Sequence, residues 1–240
     1  MNRQVNTRQW YENYYEKKGV KRNDLRNNPE VLFQTLALEA SVVRALTALG
    51  GDPNRARVLD VGCGGGGNFY QLLRLGYEAS NISGIDILPD RLEAARKDYP
   101  NICFVLSDAS RMEFPDASFD LLSEFTMFAT LPDDALAAEI AREMIRVCKD
   151  DGYLLLVDWR TPKLGDSNYK ALTRKRLRTL FGVGRGTRLI GVYRGALIPP
   201  VGRFLSKYLP STYFLIAAVF PFLVGQVAYL LQKSVGDPKS

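Results

Sequence analysis

Four consecutive glycines, Gly64 to Gly67, follow the run Val58-Leu59-Asp60-Val61-Gly62-Cys63. Gly62, Gly64 and Gly67 fit the spacing GxGxxG, in which a strand turns sharply into a helix and the backbone comes close to a ligand because no Cβ intervenes. Taken alone, that spacing is a weak sign of a dinucleotide. Asp60, two positions before the first glycine, argues against one. A carboxylate at that strand end would repel a pyrophosphate, and it suits a ligand carrying positive charge. A plain tight turn does not ask for four glycines in a row. Asp86, in Gly84-Ile85-Asp86-Ile87, ends the next apolar run. It lies slightly beyond the spacing of ~20 residues at which an acid meets ribose hydroxyls, and the turn Ala79-Ser80-Asn81-Ile82 takes up the difference.

Asp108, in Ser107-Asp108-Ala109-Ser110, follows the third strand. A carboxylate there can accept from an adenine amino group, with Ile87, Ala109 and Met112 around the ring. Asp60, Asp86 and Asp108, each closing a successive strand, together with Cys63 and Gly64 in the turn, point to a cationic nucleoside. S-adenosylmethionine fits, its α-ammonium meeting Asp60. The competing reading is three solvated loop acids, each common singly. A nicotinamide-dependent oxidoreductase is disfavoured by Asp60 and Asp108.

The 240 residues contain no histidine. Ser-His and Cys-His mechanisms, His-ligated metals and a His base are therefore excluded for this chain. Cys63, Cys103 and Cys148 are odd in number and widely spaced, so neither a disulfide framework nor a metal site is expected, and a reducing cytoplasm fits best. Proton acceptors must then be sought among acids at the carboxyl ends of strands four and five, where open α/β sheets bind ligands. Those are Glu124 and Asp158, with Asp158 favoured as base and Glu124 suited also to holding the ammonium. Arg160, just beyond, can pair with a carboxylate or phosphate. Both acids equally fit capping or ion-pair roles. Tyr11, Tyr14 and Tyr15 precede the first helix; a lid over the ligand, with Tyr15 in contact, and simple surface packing both account for them.

These side chains need elements that bring them to one edge. Apolar runs predict strands at 57–61, 84–87, 102–106, 119–125 and 153–158, alternating with helices at 68–75, 89–98 and 135–148. Such alternation implies an α/β fold, a doubly wound and mostly parallel sheet covered on both faces. Ahead of it, Leu32, Leu36, Leu38, Val42, Val43, Leu46 and Leu49 recur at near-helical spacing and predict a helix over 30–49. Asp150-Asp151-Gly152 reads as a turn. After Asp158 come a basic helix at 168–181 and a strand at 187–196. The apolar stretch 213–231 is nearly long enough to span a bilayer, but Pro221, Gly225 and Gln226 interrupt it. A helix at 213–220 and an antiparallel final strand at 226–233 are expected instead. The organisation is then a helical cap over 1–50, a core over 51–196, and a helical C-terminal insertion plus final strand over 197–240.

Composition agrees with a globular chain: 46% of residues are hydrophobic and 24% charged. The polar N-terminus has no apolar core of the kind a secretory signal needs. Charge is uneven. Residues 1–150 carry 18 Lys/Arg against 22 Asp/Glu, and residues 151–240 carry 14 against 4. The basic end, including Lys170, Arg174, Lys175, Arg176 and Arg178, either meets something anionic or forms a solvated helix face.

In order along the chain, DVGCGGG, GIDI, SDAS, FPDASFDLLSEFTMFATLPDD and AREMIRVCKDDGYLLLVDWR resemble class I S-adenosylmethionine-dependent methyltransferases of the methyltransferase-11-like kind, over residues 55–160. The stretch from GIDILPDRLEAAR to VDWR, with Leu197-Ile198-Pro199-Pro200, is similar to a group associated with bacterial surface-glycan biosynthesis. Where many relatives carry His-His before Leu-Pro, this chain has Ala129-Thr130, so no His base carries over. The resemblance implies a Rossmann-like fold, S-adenosylmethionine as methyl donor, and O-methylation of a glycan or glycolipid intermediate. The alternative acceptor is a small lipophilic metabolite of phenol or quinone type. A cytoplasmic protein at the inner face of an anionic membrane fits the basic, apolar end. Nucleic acid is disfavoured because Ser123-Glu124-Phe125-Thr126 is not the Pro-Pro-aromatic loop that grips a flipped base.

Overall fold

The computed structural model describes residues 8, 9, 11, 12, 25–131, 133–162 and 169–234. Seven strands form one sheet in the order β3-β2-β1-β4-β5-β7-β6. The first five are β1 (Val58–Val61), β2 (Ile82–Asp86), β3 (Cys103–Leu106), β4 (Phe119–Phe125) and β5 (Cys148–Trp159), all parallel to one another. The last two are β6 (Thr187–Arg194) and β7 (Gln226–Lys233). β7 runs antiparallel between β5 and β6, as the sequence predicts for its final strand.

The first helix, α1 (Leu32–Leu46), is preceded by a 3-10 turn at Pro29–Val31 and packs on β6 and β7. Between the parallel strands lie α2 (Phe69–Arg74), α3 (Pro89–Asp98) and α4 (Asp134–Val147). α4 shows how pattern becomes packing. Asp133 caps it by accepting from Ala135 N at 2.9 Å, and Leu136, Ala137, Ile140, Ala141, Met144 and Val147 form its buried face, a 3/4 spacing that lays one stripe on the sheet. Helices on both faces leave the central strands fully buried: every residue of β1 and nearly all of β4 is out of solvent.

Three details differ from expectation. Asp150-Asp151-Gly152 is not a separate turn but part of β5, which enters the sheet five residues early through an irregular register opposite Phe119–Leu121. Asp151 sits at φ +60° there, and a Cβ on Gly152 would come within 2.8 Å of Lys149 O. The basic helix is shorter than predicted: α5 spans Arg174–Phe181, with Thr173 capping it by accepting from Arg176 N at 3.2 Å. Residues 199–208, placed from sequence within the helical C-terminal insertion but given no bounds there, form α6 (Pro199–Tyr208), because a proline at the first helical position costs no hydrogen bond. After it come α7 (Tyr213–Val219) and a 3-10 turn at Pro221–Leu223. Among the described residues no helix is long and apolar enough to cross a membrane.

Candidate active site

The parallel strands end along one edge, and the acids gather there by register. Asp60 lies beside Gly84 on β2 and Ser123 on β4, and Ser123 Oγ donates to Asp60 Oδ1 at 2.6 Å. Beyond Val61 the chain reverses through Gly62 at φ +71° and Gly64 at φ +54°, conformations that cost an L side chain about 1–2 kcal/mol. Side chains there would also have to displace their neighbours. A Cβ on Gly62 would stand 3.1 Å from Met127 Sδ, and one on Gly64 would stand 2.9 Å from an Arg91 guanidinium nitrogen. Asp86 fastens the turn: its Oδ2 accepts from Gly64 N at 2.8 Å and its Oδ1 from Leu88 N at 2.9 Å. A carboxylate offers about four lone-pair sites, so two remain for hydroxyl donors. Asp108 is held by its neighbour, its Oδ1 accepting from Ser110 N and Ser110 Oγ, both at 2.8 Å.

Of these, Gly62, Asp86, Leu88, Asp108 and Ser110 line a cavity of about 380 Å³, whereas Asp60, expected from sequence to meet the ligand, is buried and off its lining. Gly62, Asp86, Ile87, Asp108 and Ala109, all named from sequence, are on its wall, with Arg91, Ser107 and Ser110. The lining also has a large apolar share, Phe125, Met127, Leu131, Leu136 and Ile140, with Thr126, Thr130 and Tyr11. Tyr11 and Thr130 hydroxyls are 3.2 Å apart. The sequence reading missed this apolar wall; Leu136 and Ile140, four residues apart on α4, read only as core, and the FTMFATL segment was the available clue. Tyr14 and Tyr15 lie outside the described residues.

Several expected site residues stand behind the wall, not on it. Met112 is buried in the core, its N–H donating to Glu143 Oε2 at 2.8 Å and its carbonyl accepting from Arg146; a position around the ring is not where its side chain lies. Cys63 is buried, its N–H bonded to Ile85 O at 2.9 Å. Gly64 contributes through its bond to Asp86. Arg160 is spent on the chain itself, donating to Val224 O at 2.8 Å and to Pro221 O, so it is not aimed at an acceptor carboxylate. Asp158 is completely buried, with Oδ2 accepting from Ala129 N at 2.8 Å and Oδ1 from Trp159 N at 2.7 Å. It does not face the cavity, so the geometry gives it no acceptor proton to take; it holds the 126–130 loop in place. Glu124 does the same with Oε2, which accepts from Met127 N at 2.9 Å.

Asp60, Glu124 and Asp158 thus form a cluster of buried carboxylates at the ends of β1, β4 and β5. Burial pushes Asp60 up to about 7, against the lowering hydrogen bond from Ser123 and with a further rise from Asp86. Burial also raises Asp158 to about 7, opposed by the Trp159 and Ala129 N–H bonds. Glu124 is raised well above the carboxylate range by burial first and then by the charges of Asp158 and Asp60. Three desolvated acids repel one another, and a neighbouring cation would relieve all of them.

A glycine turn at the first strand end, followed by acids at the ends of the next two, on the carboxyl edge of a doubly wound sheet, is the nucleoside-binding architecture of the Rossmann-like class. Comparison with known proteins narrows it. Residues 58–152 match a family model described as a methyltransferase domain. The chain is 33% identical over 138 residues to 2-methyl-6-phytyl-1,4-hydroquinone methyltransferase of Synechocystis, covering 55% of this chain and 42% of that protein. It is 34% identical over 118 residues to fatty-acid O-methyltransferase of Mycolicibacterium smegmatis, covering 48% and 41%. It therefore spans about two fifths of the length of these curated relatives. Among solved structures, a SAM-dependent methyltransferase from Methanosarcina mazei superposes with a TM-score of 0.59 over 80% of this chain and 97% of that one, at 20% identity, a likeness of fold. Residues 58–152 thus match a methyltransferase domain on a Rossmann-like fold, for which S-adenosylmethionine is the donor.

The residues present fit that donor. The glycine turn leaves room that a Cβ would fill, Asp86 and Asp108 present acceptors on the wall, and Glu124 Oε1 is buried with no hydrogen-bond partner among the described residues. An orphaned carboxylate oxygen in an acid cluster is the chemistry an ammonium satisfies.

Proposed function

We propose that the protein methylates a small, lipophilic acceptor of phenol or quinone type, on oxygen. The apolar lining supports this most directly: Phe125, Met127, Leu131, Leu136 and Ile140 share the cavity with the acids, with the Tyr11 and Thr130 hydroxyls as polar contacts. A flat ring is held by such surfaces, whereas a glycan asks for many donors and acceptors. The hydroquinone and fatty acid in the relatives' names are consistent with it. The glycan or glycolipid expected from the narrower resemblance has no support in the wall or in those names, and the lipophilic alternative takes precedence.

Bound S-adenosylmethionine supplies an activated methyl on a sulfonium. The chain's part is alignment, since an in-line displacement depends on nucleophile, methyl and sulfur sharing one line. Asp86 anchors the ribose through its free lone pairs and holds the glycine turn through its used ones. Asp108 orients the base. Glu124 and Asp158 hold the 126–130 loop, at whose start Thr126 sits at φ +62°, and that loop carries Met127 and Thr130 to the cavity. The Tyr11 and Thr130 hydroxyls on the lining can receive a hydrogen bond from an acceptor hydroxyl, whose proton passes to solvent water as the oxygen–methyl bond forms and the methyl–sulfur bond breaks.

The test is methyl transfer from methyl-labelled S-adenosylmethionine to a panel of catechols, prenylated hydroquinones, fatty acids and oligosaccharides. Label recovered in the phenol or hydroquinone fraction is expected. Label in the oligosaccharides alone would overturn the acceptor class and restore the glycan reading.

A further inference from the structure

Residues 208–232 carry no charged side chain, yet much of this stretch is outside the core. On α6, α7 and the turn that follows, Phe204, Tyr208, Phe214, Leu215, Phe220 and Phe222 are exposed, Phe222 at 71%. They are near one another in pairs: the Phe204 and Tyr208 rings are 5.2 Å apart and the Phe220 and Phe222 rings 5.9 Å. The scaffold beneath them is firm. Tyr213 is fully buried, its hydroxyl accepts from Leu197 N at 3.1 Å, and Phe33 packs against both Tyr213 and Phe214 at 5.7 and 6.0 Å. Large apolar patches of this kind mark interaction surfaces.

The surface belongs to the edge where the cavity lies. Arg160, at the end of β5, holds the Val224 and Pro221 carbonyls. Gln226 Nε2, at the start of β7, donates to the cavity residue Thr126 at 3.3 Å.

Charge selects the partner. From residue 167 to 236 the chain has 11 Lys/Arg and no Asp/Glu. Part of the basic helix read from sequence is turned inward: Lys170 pairs with Asp134 at 2.9 Å, and Arg176 lies 3.2 Å from the same carboxylate. Arg174, Arg194 and Lys207 are exposed. Arg194 ends β6 opposite Val227 at the start of β7, and Leu172, two residues before Arg174, bonds through its N–H to Trp159 O at 2.8 Å, which puts both cations beside the base of the insertion. Lys207 sits 5.1 Å above the Tyr208 ring, within the patch itself.

We propose that this surface docks on an anionic lipid bilayer, with the aromatic side chains of α6, α7 and the 221–223 turn in the interfacial layer and Arg174, Arg194 and Lys207 on headgroup phosphates. Apolar burial together with attraction between basic side chains and anionic lipid is the physics of interfacial binding, and helices this short lie on a membrane instead of spanning it. A second copy of the chain is a poorer occupant, because a two-fold contact would set these cations against their own equivalents. The face would admit a lipophilic acceptor from the bilayer to the neighbouring cavity, a consequence that rests on the proposed function; the docking does not.

Co-sedimentation of the full chain with vesicles tests it, using phosphatidylcholine alone or with 30 mol% phosphatidylglycerol (roughly the anionic range at which basic surfaces bind), with neither donor nor acceptor present. The protein is expected to pellet with the anionic vesicles, to pellet at least tenfold less with phosphatidylcholine, and to be released by high salt. Leu215→Glu with Phe222→Glu, both at exposed positions, should reduce binding at least tenfold while leaving the thermal midpoint and S-adenosylhomocysteine binding unchanged. Arg174→Glu with Arg194→Glu should remove the preference for anionic lipid. Complete recovery in the supernatant, or a Leu215→Glu/Phe222→Glu variant that pellets like the parent, would overturn the proposal. A stable dimer broken by that same double substitution would overturn it in favour of self-association. None of these outcomes bears on the acceptor panel.

Discussion

Asp86→Asn separates two jobs that one carboxylate performs. In the parent, Oδ2 and Oδ1 accept from Gly64 and Leu88 N–H groups at 2.8 and 2.9 Å. An amide can satisfy one of these donors but turns its own N–H₂ toward the other. Losing a hydrogen bond to a charged acceptor costs about 1.5–3 kcal/mol. In a chain of this size that lowers the melting midpoint by roughly 3–12 °C, at about 2–4 °C per kcal/mol. That part is already present before any ligand arrives. Binding loses something different: ribose hydroxyls that met a carboxylate meet a neutral amide, about 1 kcal/mol for each of two contacts. Together these raise the dissociation constant of S-adenosylhomocysteine ~30-fold, at 1.4 kcal/mol per tenfold. Differential scanning calorimetry reads the first effect and titration calorimetry the second. A lowered midpoint with ligand affinity unchanged within about threefold would show that Asp86 only shapes the turn, and would refute its assignment to the ribose.

Further outcomes follow from the same geometry. S-adenosylhomocysteine at a hundred times its dissociation constant should stabilise the protein by about 2.7 kcal/mol, a midpoint shift of roughly 5–10 °C, and NAD should give none; an equal shift with NAD would contradict the assignment of the acids. Asp158→Asn should lower the midpoint by several degrees, because either Ala129 or Trp159 N–H loses its acceptor, while turnover at a temperature where the variant is folded falls less than about fivefold; a loss on the order of 10²-fold or more at unchanged midpoint would make Asp158 a base after all. Asp60 and Asp158 both titrate near 7 when folded against an ordinary 3.8. Their raised values favour the folded state below about pH 4, and that contribution fades as pH rises through about 7. The donor-free protein should therefore melt lower at pH 8 than at pH 5, and Asp60→Asn should flatten the trend; a midpoint that climbs over this range would show that the cluster is not protonated as described.

How much was legible from sequence depends on what each residue answers to. α3 and β4 appear at the predicted residues because their signals are local: Pro89 opens the helix, and 119–125 is a bounded apolar run. β7 was equally legible, since a sheet with a bare β5 edge needs a covering strand. The bounds of α6 were not, because Pro199 and Pro200 mark a helix start only once they are seen to occupy its first turn. At the site, the positions of Asp60, Asp86 and Asp108 follow from strand ends alone. Which way a strand-end side chain turns does not. Asp158 and Arg160 sit where ligands bind in open sheets, yet one is drawn onto the 126–130 loop and the other onto the 221–224 carbonyls, and both pulls come from segments distant in sequence. Met112 is drawn inward by the Glu143 and Arg146 partners of its backbone in the same way. The apolar wall escaped because a helix stripe facing a ligand is written in the same residues as one facing the core.

A crystal structure of the protein grown with S-adenosylhomocysteine tests the central claim most directly. The ribose hydroxyls should lie on Asp86, the adenine amino group near Asp108, and the ammonium beside the Asp60–Glu124 pair. A ligand seated elsewhere, or an ammonium with no carboxylate near it, would contradict the account.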